Sequence, residues 1–137
     1  MSTAPQPSLD LADAGAFLRA AGLVFTEVSG SRVVGSVELG PDHHTPWGVV
    51  HGGVYATAVE SAASVGASAA VADRGQFAVG TSNTTDFLRS ATGGRLEVEA
   101  VPVQQGRVQQ LWDVRLTDQS GRLLARGTVR LQNVDPR

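Results

Sequence analysis

Residues 54–72 read VYATAVESAASVGASAAVA, and whether they form a helix or a strand decides the fold. The stretch is too long for a strand and contains no proline, which predicts a helix from about Val54 to Ala72. Its β-branched content is moderate, so length rather than propensity carries the assignment. Its one formally charged side chain is Glu60. A solvated surface helix would show Lys, Arg and Glu repeatedly along one face, so most of this helix must be buried. On helical spacing Glu60 shares a face with Gly53, Ala56, Ala63, Ser64 and Ala67. These small neighbours leave room for a molecule to approach the carboxylate and offer it few hydrogen bonds. A sheltered carboxylate of this kind is a candidate for chemistry. The competing readings are an incidental Glu at the helix edge, or one paired with an arginine from a strand.

Strand signals flank the helix on both sides. After Asp73-Arg74-Gly75, four strands are expected at about Phe77–Arg89, Arg95–Gln105, Arg107–Thr117 and Leu123–Gln132. Thr92-Gly93-Gly94, Gln105-Gly106 and Asp118-Gln119-Ser120-Gly121 supply the turns between them. In LEVEAVPV, Leu96, Val98, Ala100 and Pro102 share one face. Upstream, LVFTEVS and RVVGSVEL flank the turn Ser29-Gly30-Ser31. A short helix is expected from about Asp10 to Ala21, capped by Asp10 and ended by Gly22. Residues 1–8, rich in Pro and Ser, are expected to be a flexible N-terminus, and residues 9–137 one domain. One buried helix with six antiparallel strands is an α+β arrangement, the sheet curled around the helix. The outward positions of the last three strands include apolar residues, which points to an oligomer.

Composition excludes several classes. Net charge is −2 with no basic stripe, which argues against nucleic acid as a partner. There is no cysteine, hence no disulfide, zinc-thiolate site or cysteine nucleophile. The first residues show neither a basic region nor an apolar run, so no signal peptide is expected. No apolar stretch is long enough for a membrane span, and a cytoplasmic location is expected.

The segment WGVVHGG runs into the helix. Paired glycines permit close approach of a ligand to the backbone. The first N–H groups of a helix lack intrahelical partners and carry partial positive charge. They suit a carbonyl oxygen that becomes an oxyanion. A carbonyl held there, with Glu60 two turns farther along, is an arrangement for acyl transfer to water. A plain tight entry turn is the alternative reading.

WGVVHGGVYATAVE, followed by AVGTSNTTDFLR and LWDVRLTDQSGRLLARG, resembles the hot-dog acyl-CoA thioesterases. The nearest type is the 4-hydroxybenzoyl-CoA thioesterase branch with Glu on its central helix, and the phenylacetate-pathway thioesterases are its cousins. The resemblance runs from about Leu23 onward and keeps nine residues from His51 to Glu60. It implies a hot-dog fold, a curved antiparallel sheet around a long helix, that hydrolyses an acyl-CoA to free acid and CoA. No cofactor is implied, since CoA belongs to the substrate. Glu60 falls on the catalytic carboxylate, as nucleophile or general base. Gly52 falls on the residue whose N–H polarises the thioester carbonyl, with Gly53 beside it on the substrate. Ser64 falls on a hydroxyl that helps place water or the carboxylate, and His51 on the loop histidine beside the thioester. Arg89 falls on an arginine that contacts CoA phosphates, and Arg137 on a C-terminal basic position of similar role. Thr45 stands where the family has Asn or Gln. Val65 stands where the hydroxybenzoyl type carries an acid, which favours a less polar acyl group. The resemblance also implies a homodimer with sites shared between subunits, and two dimers associated as a tetramer.

Other residues carry weaker signals. Asp42, His43, His44 and His51 lack a recognisable ligand spacing and read as an exposed loop rather than a metal site. By resemblance Trp47 lines the acyl pocket, whereas Trp112 reads as core or interface. Asn83 and the hydroxyls Thr81, Ser82, Thr84 and Thr85 make a polar strand, either a solvated face or one whose alternate members, on one side, border the acyl pocket near Glu60. Two other functions stay open on the same fold: an enoyl-thioester hydratase or dehydratase using His51 with Glu60, and a non-catalytic acyl-CoA-binding protein.

Overall fold

The computed structural model describes residues 13–137; the N-terminus expected over residues 1–8 and the Asp10 cap lie outside them. Helix α1 (Ala16–Ala21) is shorter than predicted. Gly15, in extended backbone, sits at its start, and glycine resists being drawn into a helix. Gly22 closes α1 at φ 76°, its N–H bonded to the Leu18 carbonyl. Strands β1 (Val24–Val28) and β2 (Val33–Leu39) form a hairpin. Its turn is held by Ser29, whose Oγ accepts from the N–H groups of Ser31 and Arg32. Helix α2 (Gly52–Val71) follows a short 3-10 turn and an irregular loop. Strands β3 (Phe77–Phe87), β4 (Gly94–Gln105), β5 (Gln109–Thr117) and β6 (Leu123–Val134) complete the chain.

All six strands join in one antiparallel sheet in the order β1-β2-β4-β5-β6-β3. Helix α2 lies against every strand of it. This is the expected α+β architecture, with the sheet wrapped around a long helix. Strand alternation follows the predicted pattern: Leu96, Val98 and Ala100 point into the core. The helix packs close because its inward residues are small. A Cβ on Gly66 would stand 2.5 Å from the Trp112 ring and 2.8 Å from a Val33 methyl. Trp112 is fully buried, and its indole N–H donates to Gln110 Oε1 at 2.9 Å. Gln110 in turn donates to the Ala67 carbonyl and to Asn133 Oδ1, so this buried polar cluster ties α2 to β5 and β6.

Two features of the sheet bear on function. Val101, Val103 and Val108 are exposed on β4 and the turn after it. Strand β3, 11 residues long, lies at one edge, with residues 79–84 exposed. Its pairing to β6 carries a bulge between Gly80 and Ser82. No helix among the described residues is long and apolar enough to cross a membrane.

Candidate active site

The start of α2 is built by His51. Its backbone is extended (φ −66°, ψ 134°), and its Nδ1 accepts from the Gly53 N–H at 2.7 Å. The Val54 N–H reaches the His51 carbonyl at 3.0 Å. Of the first N–H groups of the helix, that of Gly52 is left without a protein partner among the described residues. The polarising donor expected from the paired glycines is therefore available at Gly52, while that of Gly53 is engaged. The Phe87 ring lies over Gly52: a Cβ there would meet it at 2.7 Å. Phe87 also packs on Tyr55, with ring centroids 6.1 Å apart. Burial pushes the Tyr55 hydroxyl above the ordinary tyrosine range, by penalising its charged form.

Glu60 lies eight residues farther along α2 and is half-buried. Of its helix-face neighbours only Ser64 bonds the carboxylate, and a further partner comes from β3. Asn83 Nδ2 donates to Glu60 Oε1 at 3.2 Å and to the Ala56 carbonyl at 3.1 Å. Ser64 Oγ donates to Oε2 across a longer 3.4 Å. Gly80 forms the floor, since a Cβ there would overlap Oε2. Glu60 forms no ion pair with an arginine among the described residues, which removes the structural pairing considered from the sequence.

At about 1.5 Å per residue, Gly52 and Glu60 are roughly 12 Å apart along the helix axis. Reacting atoms must come within about 3–3.5 Å of one another. The N–H and the carboxylate of one chain thus stand well apart along α2.

The remaining predicted residues are dispersed. Thr45 Oγ1 accepts from the Trp47 N–H at 3.2 Å, which shapes its own turn. Trp47 is 85% exposed. Arg89 follows β3 and lines a cavity of about 590 Å³ with Arg95, Asp118 and Arg122. Arg122 is paired with Asp118 at 3.1 Å and Arg95 with Glu97 at 2.9 Å, whereas the Arg89 guanidinium has no partner among the described residues. Arg137 is exposed beyond β6. His43 and His44 clip the loop to its surroundings, through Nε2 to the Ala20 and Thr92 carbonyls respectively. Sequence reasoning missed Gly80 and Phe87. A glycine inside a strand pattern was the one available signal, since it marks close approach of another group.

The family model of the thioesterase superfamily matches residues 48–125, which span the loop, α2 and the strands as far as β6. Rv1847 of Mycobacterium tuberculosis (strain H37Rv), whose name describes it provisionally as an esterase, is 43% identical over 118 residues, 85% of this chain and 84% of that protein. The crystal structure of S. sahachiroi AziG superposes with a TM-score of 0.84 at 43% identity, covering 89% of this chain and 98% of that one. The 1,4-dihydroxy-2-naphthoyl-CoA thioesterase 2 of Arabidopsis thaliana is 37% identical over 100 residues, 72% of this chain and 62% of that protein. With a long helix wrapped by an antiparallel sheet and a family match across the helix and its entry loop, the chain belongs to the thioesterase superfamily and is a thioester hydrolase of the hot-dog fold.

Proposed function

We propose that this chain hydrolyses an acyl-CoA thioester, using Glu60 of one subunit and the Gly52 N–H of another. The observation that carries this reading is the axial separation of the two groups, each otherwise ready for its task. The N–H is unengaged among the described residues, and the carboxylate is seated against the edge strand β3. An edge strand with free backbone groups is a template for a second chain. Pairing β3 with its copy would bring the helix start of one subunit toward Glu60 of the other.

In the reaction, the Gly52 N–H takes the charge that develops on the carbonyl oxygen. Glu60 either removes a proton from water, whose oxygen attacks the carbonyl carbon, or attacks that carbon itself to give an anhydride that water then opens. In both routes the C–S bond breaks, the thiolate leaves and takes up a proton, and the acid is released. After a single turnover in ¹⁸O-water, label in the Glu60 side chain marks the anhydride route. The name of the Arabidopsis relative supports an aromatic acyl group. The Arg89 guanidinium, without a partner among the described residues and lining the cavity of about 590 Å³, supports an approach of the CoA phosphates from that side. Two such dimers back to back would cover Val101, Val103 and Val108.

Thiol release across aromatic, phenylacetyl and straight-chain CoA esters tests the reading. Glu60→Gln is expected to lower turnover by about 10²–10⁴-fold while CoA still binds. Wild-type rates in the pure variant would refute the assignment, as would consumption of enoyl thioesters without thiol release.

A further inference from the structure

We infer that Asn83 is a positioning residue for Glu60, and that the one-residue bulge at Thr81 is what delivers it. The inference rests on the reading of Glu60 as the catalytic carboxylate. In an unbroken strand, residues 80 and 83 point to opposite faces of the sheet. In β3 they do not. Gly80 pairs with Leu131 and Ser82 with Arg130, so Thr81 is the extra residue. The phase of the strand flips there. Gly80 lies under Oε2 of Glu60, Asn83 donates to Oε1, and Phe87 farther on lies over Gly52. Without the extra residue, Gly80 and Asn83 could not both face the helix.

The chemistry fixes which way the Asn83 amide points. Its Nδ2 faces two acceptors, Glu60 Oε1 and the Ala56 carbonyl. Its Oδ1 accepts from Thr85 Oγ1 at 2.6 Å. A flipped amide would set an oxygen against both acceptors and an NH₂ against the hydroxyl. Thr85 therefore holds Asn83, and Asn83 holds Glu60. The Ser64 contact is longer, so the amide is the tighter of the two restraints on the carboxylate. Asn83 is exposed in the single chain, where water competes for the amide. A second copy against β3, as proposed above, would remove that competition. With one oxygen tethered by Asn83 and the glycine floor beneath the other, Glu60 keeps a single direction in which to meet water or an acyl carbon.

Asn83→Asp keeps the shape and replaces the donor with an acceptor. It is expected to lower kcat roughly 10–100-fold with KM little changed, as misplacement of a reacting group does. Thr85→Val should lower kcat by a smaller factor, and Thr85→Ser should restore it. A readout independent of activity is the coupling in urea unfolding. Asn83→Asp should lower the midpoint beside Glu60 and do so far less beside Glu60→Gln, whose amide can donate to the new carboxylate. Wild-type kcat in Asn83→Asp, with Glu60→Gln inactive, would overturn the inference and leave the Glu60 reading standing. Wild-type turnover in Glu60→Gln would overturn that reading. Additive midpoints in the unfolding cycle would show that the two side chains do not interact, and would also overturn the inference.

Discussion

Gly52 has two properties that a substitution can separate: an unengaged N–H and the absence of a side chain. Gly52→Ala keeps the N–H and places a Cβ against Phe87, a ring 54% exposed and free to swing aside. Gly52→Pro deletes the N–H at the first helical position, where proline is tolerated. The preceding residue, His51, already has the extended backbone that a following proline requires. Removing one oxyanion donor costs about 10²–10³ in kcat. The expected outcome is that large loss for Gly52→Pro and less than about a tenfold loss for Gly52→Ala, read by thiol release. Equal losses would mean that the ring contact, not the amide, matters. Residue 52 was legible because consecutive glycines before an apolar helix are a local signal. That His51 would engage the Gly53 N–H was not, since it depends on a side-chain rotamer that spacing does not encode.

At the scale of elements, α2 was the most legible part of the chain and β3 the least. The helix announced itself by length, by the lack of proline and by a single charge. Its close packing also shows where propensity should lose to sterics. Gly66→Ala gains about 1 kcal/mol of helix propensity. It also drives a Cβ into the Trp112 ring, which is fully buried and anchored to Gln110. Overpacking of that kind costs about 1–3 kcal/mol, so the expected result is a net loss of stability, measured as a lower urea midpoint at unchanged m. Strand β3 was found in place, yet its facing was not readable. Thr81 to Thr85 are all polar, so the run has no apolar alternation to reveal a phase, and a single extra residue reverses it. Asn83 was expected to border an acyl pocket near Glu60, but its bond to the carboxylate itself was not legible. Gly80, five residues before Thr85, had the same ambiguity.

At the scale of the molecule, the proposed site draws on Gly52 and Glu60, eight residues apart on α2. The α+β class and the order of elements were readable because each strand carries its own alternation and turn. The edge position of β3 was not, because it is set by the crossover through α2 and by pairing with β6. The central claim is that catalysis joins Gly52 of one subunit to Glu60 of the other. Mixing two inactive proteins, Gly52→Pro and Glu60→Gln, under conditions that exchange subunits tests this most directly. In a two-fold hybrid one site would carry both defects and the other neither. At equal amounts, random exchange should restore about a quarter of wild-type thiol release. If the hybrids form, as shown by mass spectrometry of the intact complex, and activity stays at the level of the separate variants, the shared site is wrong.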